Sequence, residues 1–222
     1  MITCLADVLT PQELTEIRQA LQPAAFADGR ATAGWHARLV KHNLQARPDP
    51  AVDALRERIG QALRRHPVFE LAVRPRHLQP VLLSRYEPGM AYGSHVDDAV
   101  MGGAQPVRAD IAMTVFLSEP ADYDGGELVT DTSAGEQRFK LPAGCAVIYP
   151  ASTLHRVEPI TRGERIAAVT WAQSLIRDPA RRELLFDLDT ARRALFAREG
   201  KSAEFDLLSK SFANLVRMWA EP

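Results

Sequence analysis

Six short segments rich in β-branched and aromatic residues follow one another between Pro80 and Ser174, with Gly, Pro and Asp between them. Their sequences are PVLLSRY, IAMTVFLS, GELVTD, QRFKL, CAVIYP and RIAAVTWAQS. Short strands at this spacing, bounded by turn residues, are typical of a β-sandwich or β-barrel. We therefore expect a central antiparallel β core over residues 77–176.

Helical patterns precede this core. A first helix is predicted to begin after Thr10, with Pro11 in its first turn and Glu13 completing a capping box. A second helix is predicted to begin at Asp49 and to end at Pro67. Their apolar residues recur at helical spacing: Leu14, Ile17 and Leu21 in the first helix, and Val52, Leu55, Ile59 and Leu63 in the second. The segment TAGWHARLVKHNLQ between them fits a strand or a loop.

Helical patterns also follow the core. Asp178 and Pro179 open one segment, whose inner side is predicted to carry Leu184, Leu188, Ala191 and Leu195. A final helix presents a stripe that we interpret as a packing surface: Phe205, Leu208, Phe212, Leu215 and Trp219. The expected fold class is mainly β with flanking helices, or α+β. Its parts are a support region at 1–76, the β core at 77–176 and a helical extension at 177–222, joined in one compact unit.

Composition narrows the function classes. With 27 basic and 28 acidic residues, the formal charge of -1 offers no general electrostatic reason to bind nucleic acid or an anionic membrane. No run approaches the roughly 20 apolar residues of a membrane span, and the amino terminus does not resemble a signal peptide. Cys4 and Cys145 lack the spacing of a disulfide framework or a zinc site. We expect a soluble, unprocessed, cytoplasmic protein without nucleic-acid or membrane partners.

The segment YGSHVDDAV suggests the first part of a metal site. In an extended chain, side chains alternate between two faces, so His95 and Asp97 project together while Val96 and Asp98 point the other way. Two ligands on one face can hold a single ion. The pattern is weak alone, since a polar loop explains it equally well.

A third element strengthens this interpretation. His155 follows the strand that contains Tyr149, and Arg165 begins the next apolar segment. A hairpin through PITRG is predicted to place Arg165 near His155 on the neighbouring strand. An arginine inside a β core requires an anion, and 2-oxoglutarate would supply one. Two imidazoles and one carboxylate form the facial ligand set suited to non-heme Fe(II) oxygenases.

Four motifs together resemble the iron- and 2-oxoglutarate-dependent dioxygenases of the prolyl 4-hydroxylase superfamily: HVD at 95–97, YDGGEL at 123–128, YPASTLHRV at 149–157 and RGER at 162–165. The whole chain is similar to the bacterial PKHD-type hydroxylases within it. This resemblance implies a double-stranded β-helix, or jelly-roll, core. It also implies that the catalytic metal ligands of Fe(2+) are His95, Asp97 and His155, that Arg165 binds 2-oxoglutarate, and that L-ascorbate is an auxiliary reductant.

Further positions follow from the same resemblance. Tyr86 matches a tyrosine that lines the cosubstrate pocket in related enzymes, although a buried core tyrosine is an equal alternative. Phe116 stands where some relatives have a second tyrosine, so recognition of the far carboxylate depends more on Arg165, with Thr114 or Thr170 as candidate helpers.

Other segments are assigned on their residues. Gly125 and Gly126 are interpreted as structural, because they permit a tight entry into a strand. The polar, Gly-rich segment 97–110 is a lid, a substrate wall or a flexible insertion. Lys41 and Asn43 either approach the site or lie on an exposed edge.

The expected function is that of a dioxygenase that uses dioxygen and 2-oxoglutarate to hydroxylate an unidentified substrate, a peptidyl or amino-acid C–H among the candidates, and releases succinate and CO2. The helical ends offer surfaces for a homodimer. Two alternatives stay open: a metal-dependent hydrolase with the same three ligands, which leaves Arg165 unexplained, and a non-catalytic jelly-roll binding module, which leaves the joint spacing of the four residues to coincidence.

Overall fold

The computed structural model describes residues 1–22, 24–103 and 106–222. Its helices are α1 (Pro11–Leu21), α2 (Pro50–Arg65), α3 (Pro67–Val73), α4 (Pro179–Glu199) and α5 (Ala203–Trp219). Short 3-10 turns occur at Gly29–Thr32, Ala37–Leu39 and Pro120–Asp122. Among these described residues, no helix combines the length and the apolar composition that crossing a bilayer requires.

The strands, numbered along the chain, are β1 (Thr3–Leu5), β2 (Phe26–Asp28), β3 (Lys41–His42), β4 (Leu44–Ala46), β5 (Pro75–Leu78), β6 (Leu82–Tyr86), β7 (Ala91–His95), β8 (Val100–Met101), β9 (Val107–Arg108), β10 (Ile111–Phe116), β11 (Tyr123–Gly125), β12 (Leu128–Thr132), β13 (Gly135–Phe139), β14 (Ala146–Pro150), β15 (Leu154–Val157), β16 (Ile160–Gly163) and β17 (Arg165–Ser174). Each of the six predicted β segments overlaps one of them, namely β6, β10, β12, β13, β14 and β17.

Two antiparallel sheets face each other. The larger sheet has the order β1-β14-β10-β17-β6-β4-β2, with β5 also pairing with β17, and the smaller sheet has the order β13-β12-β15-β7-β3. Two-stranded pairs β11-β16 and β8-β9 complete the fold. This arrangement confirms the predicted jelly-roll core with flanking helices. The strands β1 to β4 come from the amino-terminal region, so that region contributes to both sheets.

The core has two apolar layers because strand side chains alternate. On β10, Met113 and Val115 pack in a cluster with the buried faces of α1 to α3, including Ile17 and Ile59. Ala112 and Phe116, which alternate with Met113 and Val115 along β10, belong to a second cluster between the two sheets. One face of the larger sheet is therefore covered by helices, which leaves its other face to form an interior space with the smaller sheet.

The amino-terminal helices follow their predicted caps and ends. Thr10 Oγ1 accepts from the Glu13 backbone N–H at 3.2 Å and Glu13 Oε2 accepts from the Thr10 N–H at 2.9 Å, which confirms the capping box. Helix α2 begins after Asp49 as predicted. It ends at Arg65, before Pro67, also as predicted, and Pro67 then begins a separate short helix, α3. Proline is favoured in a first helical turn, where its missing N–H costs no intrahelical hydrogen bond.

The predicted inner face of α4 is wrong. Leu184 is 52% exposed, and the buried residues are Arg182, Leu185 and Asp189. Arg182 donates to two backbone carbonyls at the end of the preceding segment, at 2.7 and 2.8 Å. Asp189 accepts from two arginines of its own helix. Since each buried polar group has partners, it can occupy an interior position that the apolar pattern assigned to leucines. The predicted stripe of α5 lies half-buried, as a packing surface should.

Candidate metal centre and its cavity

Two histidines face each other on neighbouring strands of the smaller sheet. His95 ends β7 and is the register partner of His155 on β15, and their ring centroids are 4.3 Å apart. Each Nδ1 is hydrogen-bonded to the carbonyl two residues earlier: His95 to Gly93 at 2.8 Å and His155 to Thr153 at 3.0 Å. Because a carbonyl can only accept, each Nδ1 carries the proton. Each Nε2 is therefore left with a lone pair for a metal.

Asp97 joins the two histidines from the loop after β7. Its side chain is 7% exposed, and Oδ1 lies 3.9 Å from His155 Nε2. Its Oδ2 is buried without a hydrogen-bond partner among the residues described. One ligand atom from each of the three residues lies within 4.8 Å of the others, so a small side-chain movement brings all three to a shared ion. The predicted His, Asp and His residues thus meet in space.

The electrostatics of these groups fit a cation. Burial, aided by the nearby His155, lowers the pKa of His95 to about 3, so the imidazole is neutral and able to bind a metal near pH 7. Burial raises the pKa of Asp97, an effect that His155 opposes. A buried carboxyl with an unpartnered oxygen stays ionised only with a positive charge beside it, and otherwise takes up a proton. A divalent cation between the three groups provides that charge, and an N,N,O donor set suits iron or zinc.

Aromatic rings hold both imidazoles. Tyr92 stacks on His95 with centroids 3.6 Å apart and planes at 15°, and Tyr149 meets His155 edge-on at 5.1 Å. Strict alternation would place Tyr92, three residues before His95, on the opposite face. The pairing of β7 with β15 contains a register shift that brings the two rings to one face. The sequence analysis missed Tyr92 because nothing in the sequence marks this irregularity.

Arg165 reaches the same space by a different route from the one predicted. The hairpin prediction is wrong: His155 lies in the smaller sheet, whereas β17 lies in the larger sheet between β10 and β6. The PITRG segment contains the whole of β16, which pairs with β11 rather than with β17. Arg165 therefore faces the histidines from the opposite wall. All four residues, the three candidate ligands and Arg165, line one cavity of about 430 Å³.

The Arg165 guanidinium is buried without an anion. The residue is 1% exposed, its Nε has no hydrogen-bond partner, and it has no ion pair within the described ranges. The guanidinium carbon lies 5.1 Å from the Tyr86 ring centroid and 5.5 Å from that of Phe116. A fully buried cation between aromatic rings needs a negative partner from outside the chain. A carboxylate entering the cavity would fill this role.

Gly126 gives Arg165 its path. A Cβ on Gly126 would lie 3.0 Å from Arg165 Cδ and 2.3 Å from Ile160 Cδ1, and its φ of +68° strains any other residue. The same holds for Gly125, where a Cβ would lie 2.0 Å from the Pro159 carbonyl oxygen. The structural interpretation of YDGGEL is consistent with these contacts.

The other predicted candidates, Tyr86, Thr114 and Thr170, lie on the larger sheet, and not all of them face the cavity. Tyr86 and Thr114 line the cavity. Thr170 does not, because its hydroxyl donates to the Gln79 carbonyl at 2.6 Å and its side chain points to the other face. Trp171, which the sequence analysis missed, also lines the cavity. Its indole N–H lies beside Asp97 and opposes the rise in the pKa of that carboxyl. The two groups do not reach hydrogen-bond geometry.

The amino-terminal segment and the loop after Asp97 form the mouth. Lys41 and Asn43, for which an exposed edge was an equal alternative, are buried in the cavity wall. Gln45, missed in the sequence, lines it as well. In the 97–110 segment, β8 and β9 pair and Met101 borders the opening, which supports a substrate wall; residues 104–105 lie outside the described residues.

Substitutions of the two neighbouring aspartates, Asp97 and Asp98, test the metal site. We expect Asp98→Asn to keep metal affinity, because Asp98 is exposed and its carboxylate lies against Gly34 outside the candidate ligand set. Asp97→Asn should weaken metal binding strongly, since it removes the only negative ligand of the three. Equilibrium dialysis against Fe(II) under anaerobic conditions measures both. Metal loss in the Asp98 variant would show that the loop turns the other way.

Comparison with known proteins agrees with this geometry. Residues 81–173 match the sequence model of the 2OG-Fe(II) oxygenase superfamily, and residues 179–221 match that of the PKHD-type hydroxylase C-terminal domain. A PKHD-type hydroxylase of Acaryochloris marina is 54% identical over 222 residues, and one of Synechococcus elongatus is 55% identical over 223; each alignment covers 100% of both chains. A Pseudomonas putida prolyl-4-hydroxylase has a similar fold, with a TM-score of 0.55, 20% identity, and coverage of 78% of this chain and 92% of that one.

Proposed function

Since the chain belongs to the PKHD-type hydroxylases, enzymes of the 2OG-Fe(II) oxygenase superfamily, we propose that it uses His95, Asp97 and His155 to hold Fe(II) and Arg165 to bind 2-oxoglutarate. Its reaction is the hydroxylation of a C–H bond in a substrate that is a peptidyl residue or an amino acid. We further propose L-ascorbate as the reductant that restores iron after turnovers without substrate, an assignment that depends on the family alone.

One observation carries this proposal. A three-residue N,N,O ligand set and a buried arginine without an anion face each other across one cavity. A metal-dependent hydrolase would use the three ligands but would leave Arg165 buried without a purpose. A binding module would need neither the free Nε2 atoms nor the unpartnered Asp97 oxygen. The dioxygenase accounts for all of these groups.

The residues have distinct tasks. Bound together, Fe(II) and 2-oxoglutarate supply the oxidising chemistry, in which dioxygen, 2-oxoglutarate and a C–H substrate become succinate, CO2 and the hydroxylated product. The backbone carbonyls behind His95 and His155 fix the tautomers, and Tyr92 and Tyr149 fix the ring planes. No side chain is needed as a general base.

Arg165 positions the cosubstrate. Its guanidinium offers two parallel N–H donors to the far carboxylate of 2-oxoglutarate. This bidentate pair fixes the orientation of the carboxylate, which a single charge-assisted hydrogen bond would not. Thr114 is the hydroxyl candidate near this end, since it lines the cavity and Phe116 has no donor. Apolar neighbours such as Leu128 and Val157 exclude water from the walls.

An anaerobic titration tests the function. Adding 2-oxoglutarate to the protein with Fe(II) should produce a visible charge-transfer absorption, because chelation by the 2-oxo acid joins a ferrous centre to a conjugated acceptor. The same titration with Zn(II) should produce none, since zinc has no redox chemistry. If the Fe(II) sample stays colourless at saturating 2-oxoglutarate, the hydrolase or binding-module interpretation takes its place.

A further inference from the structure

A short segment crosses from one wall of the cavity to the other. Strand β3 pairs with β7 in the smaller sheet, and β4 pairs with β6 in the larger sheet, with Asn43 between them. Side chains alternate along this extended segment, so Lys41, Asn43 and Gln45 face the cavity while His42 is exposed. We call Lys41, Asn43 and Gln45 the polar ladder.

The polar ladder is buried and incompletely hydrogen-bonded. Lys41, Asn43 and Gln45 are 6%, 2% and 7% exposed. In the part of the chain that the structure describes, three polar atoms have no hydrogen-bond partner: Oδ1 and Nδ2 of Asn43 and Oε1 of Gln45. The Tyr86 hydroxyl lies beside Asn43. Buried polar atoms are nearly always paired, and exceptions in a cavity wall point to a ligand. The unsatisfied set contains two carbonyl acceptors and one amide donor.

Lys41 adds a charge to this wall. Its Nζ donates to Thr32 Oγ1 at 2.9 Å and lies 5.0 Å from the Tyr92 ring centroid. No carboxylate lies within 4.0 Å of it among the described residues. Burial lowers its pKa to about 8, so most molecules keep the ammonium charged near pH 7. An ammonium has three donors, and the two beyond Thr32 are available to an anion.

The two buried cations of the cavity occupy opposite walls. Arg165 is the register partner of Tyr86 in the larger sheet, whereas Lys41 is the register partner of Tyr92 in the smaller sheet. A diacid cosubstrate that runs from the metal to Arg165 uses one cation. Lys41 is left for a second anion that enters the same cavity.

We propose that the polar ladder binds the primary substrate, and that this substrate is an α-amino acid, free or at the carboxyl end of a peptide. Lys41 pairs with its carboxylate, and the carbonyl oxygens of Asn43 and Gln45 accept from its ammonium or amide N–H. This inference rests on the proposed dioxygenase function, because it takes the metal and Arg165 as the cosubstrate's site.

Calorimetric titration of the anaerobic enzyme, loaded with Fe(II) and 2-oxoglutarate, tests the ladder. The probes are each common L-amino acid, its carboxamide, and the glycyl dipeptide that ends in it. At least one acid should bind, and its carboxamide should bind about tenfold more weakly or worse, because a hydrogen bond between charged groups is lost. Preference for the free acid or for the dipeptide identifies the source of the carboxylate.

Substitutions of Lys41 test whether this residue binds that carboxylate. Lys41→Met should weaken the acid about tenfold or more without weakening its carboxamide. Lys41→Arg should recover part of the affinity. Lys140→Met is the matched control, because Lys140 also lies over a tyrosine, Tyr123, but outside the cavity, and this variant should bind like the parent.

The readouts separate two failures. If the Fe(II) and 2-oxoglutarate absorption is absent from the parent protein, the proposed function fails. If the absorption is present but no acid or dipeptide binds, or acid and carboxamide bind alike, the polar ladder proposal alone is overturned. It is also overturned if Lys41→Met weakens 2-oxoglutarate, measured by the same absorption, while leaving amino-acid affinity intact.

Discussion

His155→Ala should abolish Fe(II) binding and, with it, 2-oxoglutarate consumption. The imidazole is one of three candidate ligands, and its Nδ1 is already committed to the Thr153 carbonyl, so Nε2 is the atom the metal loses. Removing a residue that hydrogen-bonds a metal ligand typically lowers metal affinity about 10–100-fold, and removing the ligand itself lowers the affinity further. His95 and Asp97 then remain, and among the described residues that line the cavity no further histidine can replace His155. Anaerobic equilibrium dialysis and succinate release measure the two losses.

His42→Ala is the control for this variant. His42 lies on β3 of the same smaller sheet but is exposed and outside the cavity lining, so its loss should leave iron binding unchanged. A thermal unfolding curve shows whether the His155 variant stays folded, and His155→Gln fills the same space if alanine leaves a void. A folded His155→Ala protein that binds Fe(II) like the parent would contradict the ligand assignment.

Local sequence signals predicted the elements that depend on local chemistry. The capping box of Thr10 and Glu13 and the Asp49 start of α2 need only neighbouring residues, and both agree with the structure. The six β segments were also recognisable, because turn residues bound them. The face of α4 was not, since Arg182 and Asp189 are buried through hydrogen bonds to carbonyls and arginines that periodicity does not reveal.

The candidate site shows the same division. The motif residues were identified one by one. Alternation predicted that Asp97 points inward and Asp98 outward; Asp97 does join the histidines, whereas Asp98 is exposed but still borders the cavity, because both residues follow the end of β7. The predicted route of Arg165 was wrong because a hairpin is the simplest connection between adjacent segments, whereas here β15 lies in the smaller sheet, β16 pairs with β11, and β17 lies in the larger sheet. Tyr92 was missed because its position depends on a register shift, and Gln45 because it lies on β4, just after the segment that crosses from the smaller sheet to the larger one.

Arg165→Ala should mainly weaken 2-oxoglutarate and spare the metal. The guanidinium lies on the opposite sheet from the histidines, and it is buried with no anion of its own chain. Truncating one partner of a buried, hydrogen-bonded charge pair typically costs about 2–5 kcal/mol. Since about 1.4 kcal/mol is a factor of ten, the apparent affinity for 2-oxoglutarate should fall by more than tenfold. The charge-transfer absorption, titrated with 2-oxoglutarate at fixed Fe(II), measures this shift.

Two further variants separate charge from geometry. Arg165→Lys keeps the charge but cannot form the bidentate pair, so its affinity should lie between those of the parent and Arg165→Ala. Arg162→Ala removes an exposed arginine three residues earlier, paired with Asp124 on the surface, and should change nothing at the site. Iron affinity should be equal in all of these proteins. Normal 2-oxoglutarate affinity in the folded Arg165→Ala variant would refute the role of this residue, because no other arginine lines the cavity as described.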